Sequence, residues 1–228
     1  MTSRYKAFGL ALMALLALSA ITSQIASAVP LTVSSGLSKV FVTGDVEGEP
    51  VFTFSGGSFK CTSNHFHGSG AASVGAVNEL TIETTLSGCT LFGFSTVDVK
   101  FNGCTDTFTT PTSIKAGEVT WHAATQYHTV CPAGKKIELT PTTFGASICT
   151  LSISEQTPTS GHIVGRNVVG SSPMDVTLEY TLEGLHYTGS GGSCGNSETH
   201  SDLKYAGNFT VTCFSDEKRT IRTDCTFS

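Results

Sequence analysis

The chain of 228 residues carries a net charge of −5, and only 14% of its residues are charged, against about 25% in a typical soluble domain. A weakly acidic surface made polar by Thr, Ser, Gly and Asn argues against nucleic acid or an anionic membrane as a partner, because both attract basic patches. The length is sufficient for a hydrophobic core that needs no external support.

The N-terminus has the features of a signal peptide. Arg4 and Lys6 give a basic start, the run 7–21 is apolar but short for a membrane span, and Ala26-Ser27-Ala28 has the small residues of a cleavage site. We predict a signal peptide over residues 1–28, one all-β domain over 29–228, and a secreted product without a membrane anchor. A retained N-terminal anchor is the alternative interpretation.

All eight cysteines follow the predicted signal peptide. An even number in an exported chain indicates disulfides, and there is no C-x-x-C motif to suggest zinc or thiol redox chemistry. Proximity along the chain favours bonds between near neighbours and a C-terminal tail tied at about 214–228. The predicted bonds are Cys89–Cys104, Cys131–Cys149, Cys213–Cys225 and, for the remaining pair, Cys61–Cys194.

A β-hairpin is predicted around Gly56-Gly57, because this pair readily adopts the positive φ angles of a two-residue turn. With these glycines as the loop, Phe54 faces Phe59 and Phe52 faces Cys61. Period-2 alternation then places all four of these side chains on one face of the hairpin.

Short alternating runs recur through the rest of the chain and predict strands joined by turns. In chain order these runs are 39–43, 80–86, 97–101, 119–123, 137–139, 149–153, 176–182, 185–187 and 209–213. The alternation slips between Thr62 and His65, which predicts a β-bulge or a strand that leaves the sheet, and again at Gly184, which predicts a β-bulge. We predict an all-β fold, an antiparallel β-sandwich of about ten strands with disulfides, with a β-barrel as the alternative and no helix after the signal peptide.

Asn102-Gly103 is the strongest short hairpin signal in the sequence. As a two-residue loop it places Phe101 opposite Cys104 and Val99 opposite Asp106. An inward carboxylate is costly unless it is hydrogen-bonded. A register slip, or a position at the rim of the sheet, is therefore favoured over a catalytic role for Asp106.

Two serine motifs suggest hydrolase chemistry, and each lacks its context. The segment Gly191–Gly195 matches G-x-S-x-G, but that motif needs a following helix, and this loop is glycine-rich. Ser190 with His122 and Asp175 suggests the triad of a chymotrypsin-like protease, yet Gly189 stands where such enzymes carry an aspartate. We therefore predict no catalytic residue.

His65 and His67 lie on one face of an extended segment, which is a geometry for metal binding. They are weak metal candidates, and solvated histidines near a strand end are the favoured interpretation. A third ligand would come from His122, His128, His162, His186 or His200, and no spacing selects among these. We predict no cofactor.

Four short motifs give the chain a resemblance to a known group. They are Gly-Gly-Ser-Phe-Lys-Cys at 56–61, Ser-Gly-Cys at 87–89, Asn-Gly-Cys at 102–104 and Cys-Pro-Ala-Gly-Lys at 131–135. In their order they resemble uncharacterised secreted β proteins of soil actinobacteria, over most of the chain up to about Cys213. The resemblance implies export and architecture, and no catalytic residue is carried over. The cysteine pair near the C-terminus departs from the pattern of that group.

The function predicted from these features is a secreted or cell-surface, non-enzymatic structural or binding protein whose partner is a cell-envelope component or an extracellular ligand. A secreted hydrolase acting on polysaccharide or peptide is one alternative, and it requires two carboxylates or a Ser-His pair in one cleft. A carrier of a small apolar ligand is the other, and it requires a deep apolar pocket.

Overall fold

A computed structural model describes residues 31–33, 36–73, 76–109, 113–115, 117–191 and 198–227, so the predicted signal peptide lies outside the described residues. Strands make up 70% of the structure and helix 2%. The described part of the chain contains no helix that is long and apolar enough to cross a bilayer. The strands are β1 (Leu31–Val33), β2 (Lys39–Phe54), β3 (Gly57–Lys60), β4 (Ser63–Ser73), β5 (Ala76–Ser87), β6 (Cys89–Leu91), β7 (Ser95–Lys100), β8 (Thr105–Phe108), β9 (Ser113–Lys115), β10 (Glu118–His122), β11 (Tyr127–Val130), β12 (Ile137–Thr143), β13 (Ala146–Ser147), β14 (Thr150–Ile153), β15 (Ser160–Asn167), β16 (Val176–Ser190), β17 (Thr199–Phe214), β18 (Arg222–Thr223) and β19 (Cys225–Phe227), and the single helical turn is α1 (Ala123–Gln126).

Eight antiparallel strands close on themselves into a barrel. The ring runs β2–β3–β6–β7–β12–β14–β16–β17 and returns to β2. The all-β prediction is confirmed, and of its two architectures the barrel fits better than the sandwich. The sandwich was favoured because alternation reports only which face of a strand is buried, and it carries no information on whether the last strand pairs with the first.

The remaining strands extend the same sheet beyond one end of the barrel. Here the order is β11–β8–β5–β4–β2–β17–β16–β15–β10–β9. The long strands β2, β16 and β17 therefore belong to both parts, and more strands form than the predicted ten because the chain changes partners along their length. We call β4 with β5 (62–88) the first excursion and the segment from β8 to β11 (105–130) the second excursion, since in each the chain leaves the barrel and returns.

The predicted bulge at Gly184 is confirmed, and at the slip between Thr62 and His65 the chain breaks between β3 and β4 with a change of register; both features lie where strands pass between the two parts. The β16–β17 register shifts between Leu182 and Leu185, and Gly184 between them has a φ of 66°, which glycine adopts without strain. Against β2, Lys60 pairs with Val51 whereas His65 pairs with Asp45, so the register changes by one residue between Lys60 and His65.

The hairpin around Gly56-Gly57 forms, but its register differs from the prediction. Phe52 lies opposite Phe59, with ring centroids 4.4 Å apart and nearly parallel planes, and Phe54 lies opposite Gly57. The loop is therefore Ser55-Gly56. A shift by an even number of residues leaves the faces unchanged, which is why the shared face of the phenylalanines was predicted correctly.

The turn at Asn102-Gly103 also forms, with φ angles of 53° and 83° and a hydrogen bond from Cys104 N–H to Phe101 O of 2.9 Å. The predicted hairpin does not continue beyond it. Strand β7 pairs with β6 and β12 in the barrel, whereas β8 pairs with β5 and β11, so Val99 is not opposite Asp106.

Disulfides close the points at which the chain leaves and re-enters the barrel. Cys61–Cys89 closes the first excursion and Cys104–Cys131 the second. The predicted bonds Cys89–Cys104, Cys131–Cys149 and Cys61–Cys194 are therefore wrong, because each of these two disulfides joins the start of an excursion to its end and not to the cysteine that follows along the chain. Cys149 is itself disulfide-bonded, and Cys194 lies outside the described residues. The predicted bond Cys213–Cys225 is confirmed.

The segment after Cys213 forms strands that pair with the rest of the sheet. Strand β18 pairs with β17, and β19 pairs with β1. Phe227 is buried, and its ring packs edge-on against Trp121 with centroids 5.7 Å apart. The C-terminal residues thus complete the core of the extended sheet.

Candidate ligand-binding cavity

A buried cavity of about 70 Å³ lies between the barrel and the two excursions. One water molecule needs roughly 10–15 Å³ on this measure, so the space accommodates a small organic molecule or several waters. Twelve of the nineteen lining residues are aliphatic or phenylalanine. The polar ones are Asn64, Thr84, Asp106, Tyr127, Thr129, Tyr180 and Tyr205.

The apolar part of the lining comes largely from the barrel. Val99 on β7, Leu139 on β12 and Ile153 on β14 line the cavity from strands that belong to the barrel alone. Phe52 lies on β2, where its ring packs against Tyr205 with centroids 4.6 Å apart. This side of the cavity favours an apolar body in whatever occupies it.

Asp106 is the carboxylate of the polar part, and only 9% of the residue is exposed. Thr129 Oγ1 donates a hydrogen bond of 2.8 Å to Asp106 Oδ1. Burial raises the pKa of Asp106, and hydrogen bonds from Tyr127, Thr129 and Thr84 oppose that rise without cancelling it. The acid is therefore shifted toward its protonated form, in which it also donates a hydrogen bond.

Two polar atoms at the cavity have no hydrogen-bond partner among the described residues. Asn64 Nδ2 donates to Tyr205 Oη at 2.9 Å, but Asn64 Oδ1 is unpartnered, and so is Tyr180 Oη. Asn64 is 2% exposed and Tyr180 is 5% exposed. Burial raises the pKa of Tyr180 well above its usual value, so its hydroxyl stays neutral. A buried polar atom without a partner costs free energy, and a water or ligand in the cavity that hydrogen-bonds to these two atoms would remove that cost.

The bulge after Cys61 explains why an asparagine points inward. Before it, Phe59 and Cys61 are buried; beyond it, Asn64 and Phe66 are buried, so the inward positions change from odd to even. Phe66 can lie inward here because Gly44 opposite it leaves room for the ring. Continuing the alternation from Phe66 toward the N-terminus would have predicted from the sequence that the Asn64 side chain points inward.

Asp106 does not lie at a rim. The register indeed differs from the prediction, since its neighbours are Ile82 and Thr129, but the side chain is inward and hydrogen-bonded. The sequence missed Tyr180 and Tyr205 because tyrosine at an inward position of an alternating strand resembles ordinary core.

His65 and His67 lie on the outer face of β4, away from the cavity. Each is paired across the sheet: His65 Nδ1 lies 2.8 Å from Asp45 Oδ1, and His67 Nε2 lies 3.5 Å from Glu83 Oε2. Within the described ranges no group of three or more His, Cys, Asp or Glu side chains is placed to hold a metal ion. Among the described residues, no third side chain is placed to complete a metal site with His65 and His67.

The serine motifs are not assembled into a site by the described residues. Asp175 precedes β16 and binds Arg222, whereas Ser190 ends β16, a strand of 15 residues that spans roughly 45–50 Å. His122 lies exposed at the end of β10. Ser193, the serine of G-x-S-x-G, lies outside the described residues.

No family model, curated protein or solved structure matches the chain. The resemblance to secreted actinobacterial proteins therefore stays a prediction, and function has to be argued from the cavity.

Proposed function

We propose that the protein is a non-enzymatic binding protein, and that its cavity holds a small molecule with an apolar body and one hydroxyl group. The observation that supports this most directly is the pair of unpartnered atoms, Asn64 Oδ1 and Tyr180 Oη, in a buried and largely apolar space. A ligand hydroxyl can donate to the first and accept from the second. Phenols and short-chain alcohols have this chemistry.

The other polar groups fit the same ligand class. Burial raises the pKa of Asp106, and its Oδ1 already accepts a hydrogen bond from Thr129 Oγ1, so the two unpartnered atoms are left to bind the ligand hydroxyl. The hydrolase alternative needs a second carboxylate or a Ser-His pair. Asp106 is the one carboxylate in the described lining, and the lining there includes neither histidine nor serine.

We also propose that binding takes place outside the cell. The predicted signal peptide at 1–28 supports export, and the disulfides Cys61–Cys89, Cys104–Cys131 and Cys213–Cys225 are typical of extracellular proteins. N-terminal sequencing of the protein recovered from the culture medium tests this, with Val29 expected as the first residue.

Phenol and benzene test the cavity, because they differ by one hydroxyl group. Isothermal titration calorimetry should show phenol binding roughly ten times more tightly than benzene, the effect of one net hydrogen bond of about 1.4 kcal/mol. In Tyr180→Phe this preference should become smaller, because the ligand hydroxyl keeps only its bond to Asn64 Oδ1. Tyr187→Phe is the matched control, since Tyr187 is buried on the same strand but does not line the cavity.

Binding of neither compound would show that the cavity holds only water and would contradict the proposal. Equal affinity for phenol and benzene in the unmodified protein would contradict the hydroxyl requirement while leaving an apolar site. Native mass spectrometry of protein purified from its own host gives an independent readout, with the expected result an adduct that carries a hydroxyl group.

A further inference from the structure

Three phenylalanines protrude from the end of the barrel that is remote from the excursions. Phe92 is 57% exposed, Phe94 73% and Phe144 104%. The first two lie in the turn between β6 and β7, with ring centroids 6.2 Å apart, and Phe144 lies in the turn after β12. Since β7 pairs with β12 and Thr96 lies opposite Thr142, the two turns are side by side. We call these three residues the barrel tip.

The turns of the barrel tip are not explained by folding alone. Phe92-Gly93 has φ angles of 54° and 78°, and Phe144-Gly145 has 51° and 80°. Asn102-Gly103 has nearly the same pair of angles. Positive φ is unfavourable for a bulky residue, and asparagine is the usual first residue of such turns. Asn102-Gly103 shows that this chain forms the same turn with asparagine at the first position. In the two turns of the barrel tip that position holds an exposed phenylalanine instead.

The two turns of the barrel tip and the strand ends next to them carry no charge. The segments 90–97 and 142–149 contain no charged residue, so covering them desolvates no charge. Charged side chains lie beyond these segments: Lys60 is opposite Thr90, and Asp202 accepts a hydrogen bond from Ser55 N–H in the turn between β2 and β3. The three phenylalanine rings can therefore be covered without removing a charged side chain of their own two turns from water.

We propose that the barrel tip docks on the surface of a zwitterionic lipid bilayer, with the three phenylalanine rings inserted among the acyl chains. The rings stand on two adjacent hairpin turns, and three phenylalanines bury about 450–750 Å². That is less than the roughly 800 Å² that one partner contributes to a stable protein interface. A fluid bilayer accepts separate apolar rings without a complementary pocket. Because the chain is acidic overall, anionic lipid should not strengthen binding. This inference does not depend on the cavity.

Flotation with phosphatidylcholine vesicles tests the proposal on the full processed chain. We expect the protein to float with the vesicles, with little change between low and high salt and no gain when phosphatidylserine is added. The variant Phe92→Asn/Phe94→Ser/Phe144→Asn should reduce the partition coefficient at least tenfold. It should also fold normally, because asparagine suits both turn positions. Its circular dichroism spectrum and melting temperature verify the fold.

A control removes exposed apolar side chains from the opposite end of the molecule. Val169 and Ile221 are 95% and 61% exposed, and Val169→Ser/Ile221→Ser should float like the unmodified protein. In Phe144→Trp, tryptophan emission should shift to the blue on adding vesicles, since Trp121 is buried and reports little change. The proposal is overturned if the unmodified protein does not float, if the triple variant floats equally well, or if the barrel tip instead mediates dimers that the triple variant abolishes.

Discussion

The barrel wall and the two excursions enclose one cavity but contribute opposite chemistry to it. Strands that belong to the barrel alone supply only apolar side chains to the described lining, among them Val99, Leu139 and Ile153. The excursions supply five of the seven polar ones: Asn64, Thr84, Asp106, Tyr127 and Thr129. The first excursion also adds Phe66, Ile82 and Leu86. In the proposed function the closed ring is the scaffold, and the inserted segments carry most of the polar groups that would contact a ligand.

The polar lining also affects the stability of the excursions. Burying polar groups weakens the packing of a segment, and each excursion buries several. A disulfide closes each excursion at its base, Cys61–Cys89 for the first and Cys104–Cys131 for the second. Covalent closure compensates for part of the stability that the polar lining costs.

The largest effect is expected from opening an excursion. In Cys61→Ser/Cys89→Ser, loss of a link between residues 28 apart should lower the free energy of unfolding by about 3.5 kcal/mol in the chain-entropy model. Phenol binding should be lost as well, since Asn64 and Thr84 are no longer held. Urea denaturation and calorimetry measure the two effects.

The C-terminal disulfide provides the control for this prediction. In Cys213→Ser/Cys225→Ser the link joins residues 12 apart, and the loss should be about 3 kcal/mol. Phenol binding should persist, because neither cysteine lines the cavity. Equal loss of binding in both double variants would show that the excursions have no special role.

Replacing each of two tyrosines of the polar lining should change the stability by a smaller and different amount. Tyr205→Phe removes the partner of Asn64 Nδ2 and should cost about 1–3 kcal/mol, because that buried donor is left unsatisfied. Tyr180→Phe removes a hydroxyl without a partner and should leave the stability unchanged or raise it by up to about 1 kcal/mol. Guanidinium denaturation measures both, and the reverse order would contradict the hydrogen-bond assignment.

The smallest change in stability is expected for Asp106→Asn, because asparagine has nearly the same side-chain volume and keeps one hydrogen-bond acceptor. Burial raises the pKa of Asp106 in the folded state, so the folded protein holds this proton more tightly than the unfolded chain. Its stabilising contribution is complete below the unfolded pKa and is lost as pH rises through the folded pKa, with a slope of at most about 1.4 kcal/mol per pH unit.

Stability measured across pH checks this prediction. Asp106→Asn should match the unmodified protein in acid and become relatively more stable as the pH rises. Asp98→Asn is the control, because Asp98 is exposed and paired with Lys100, and it should follow the unmodified profile within about 0.5 kcal/mol. Parallel profiles for all three proteins would show that Asp106 is not the group responsible.

The parts of the fold that could be predicted are those encoded within a few residues. Alternation identified most of the strands, glycine identified the turn near Gly56, and broken alternation identified the irregularities at Thr62–His65 and at Gly184. Alternation missed β4, whose glycine- and serine-rich part at 68–75 indicates a loop, and β15, where the apolar alternation is weak. The residues of the cavity were harder to predict from the sequence. For Asp106 the pattern predicts a register slip or a rim position; the register does differ, but the side chain is buried rather than at a rim. Tyr180 is indistinguishable from core in the sequence, because periodicity reports the direction of a side chain and not what it contacts.

By itself the sequence determined an all-β, disulfide-bonded chain with signal-peptide features, since composition, period-2 alternation and cysteine count are local properties. Only the tertiary structure decided that the ring closes, that Cys61 bonds to Cys89 rather than to a cysteine far along the chain, and that Asn64, Asp106 and Tyr180 face one cavity. These features depend on which distant strands become neighbours. That choice is made by the packing of the whole chain, and no short segment contains it.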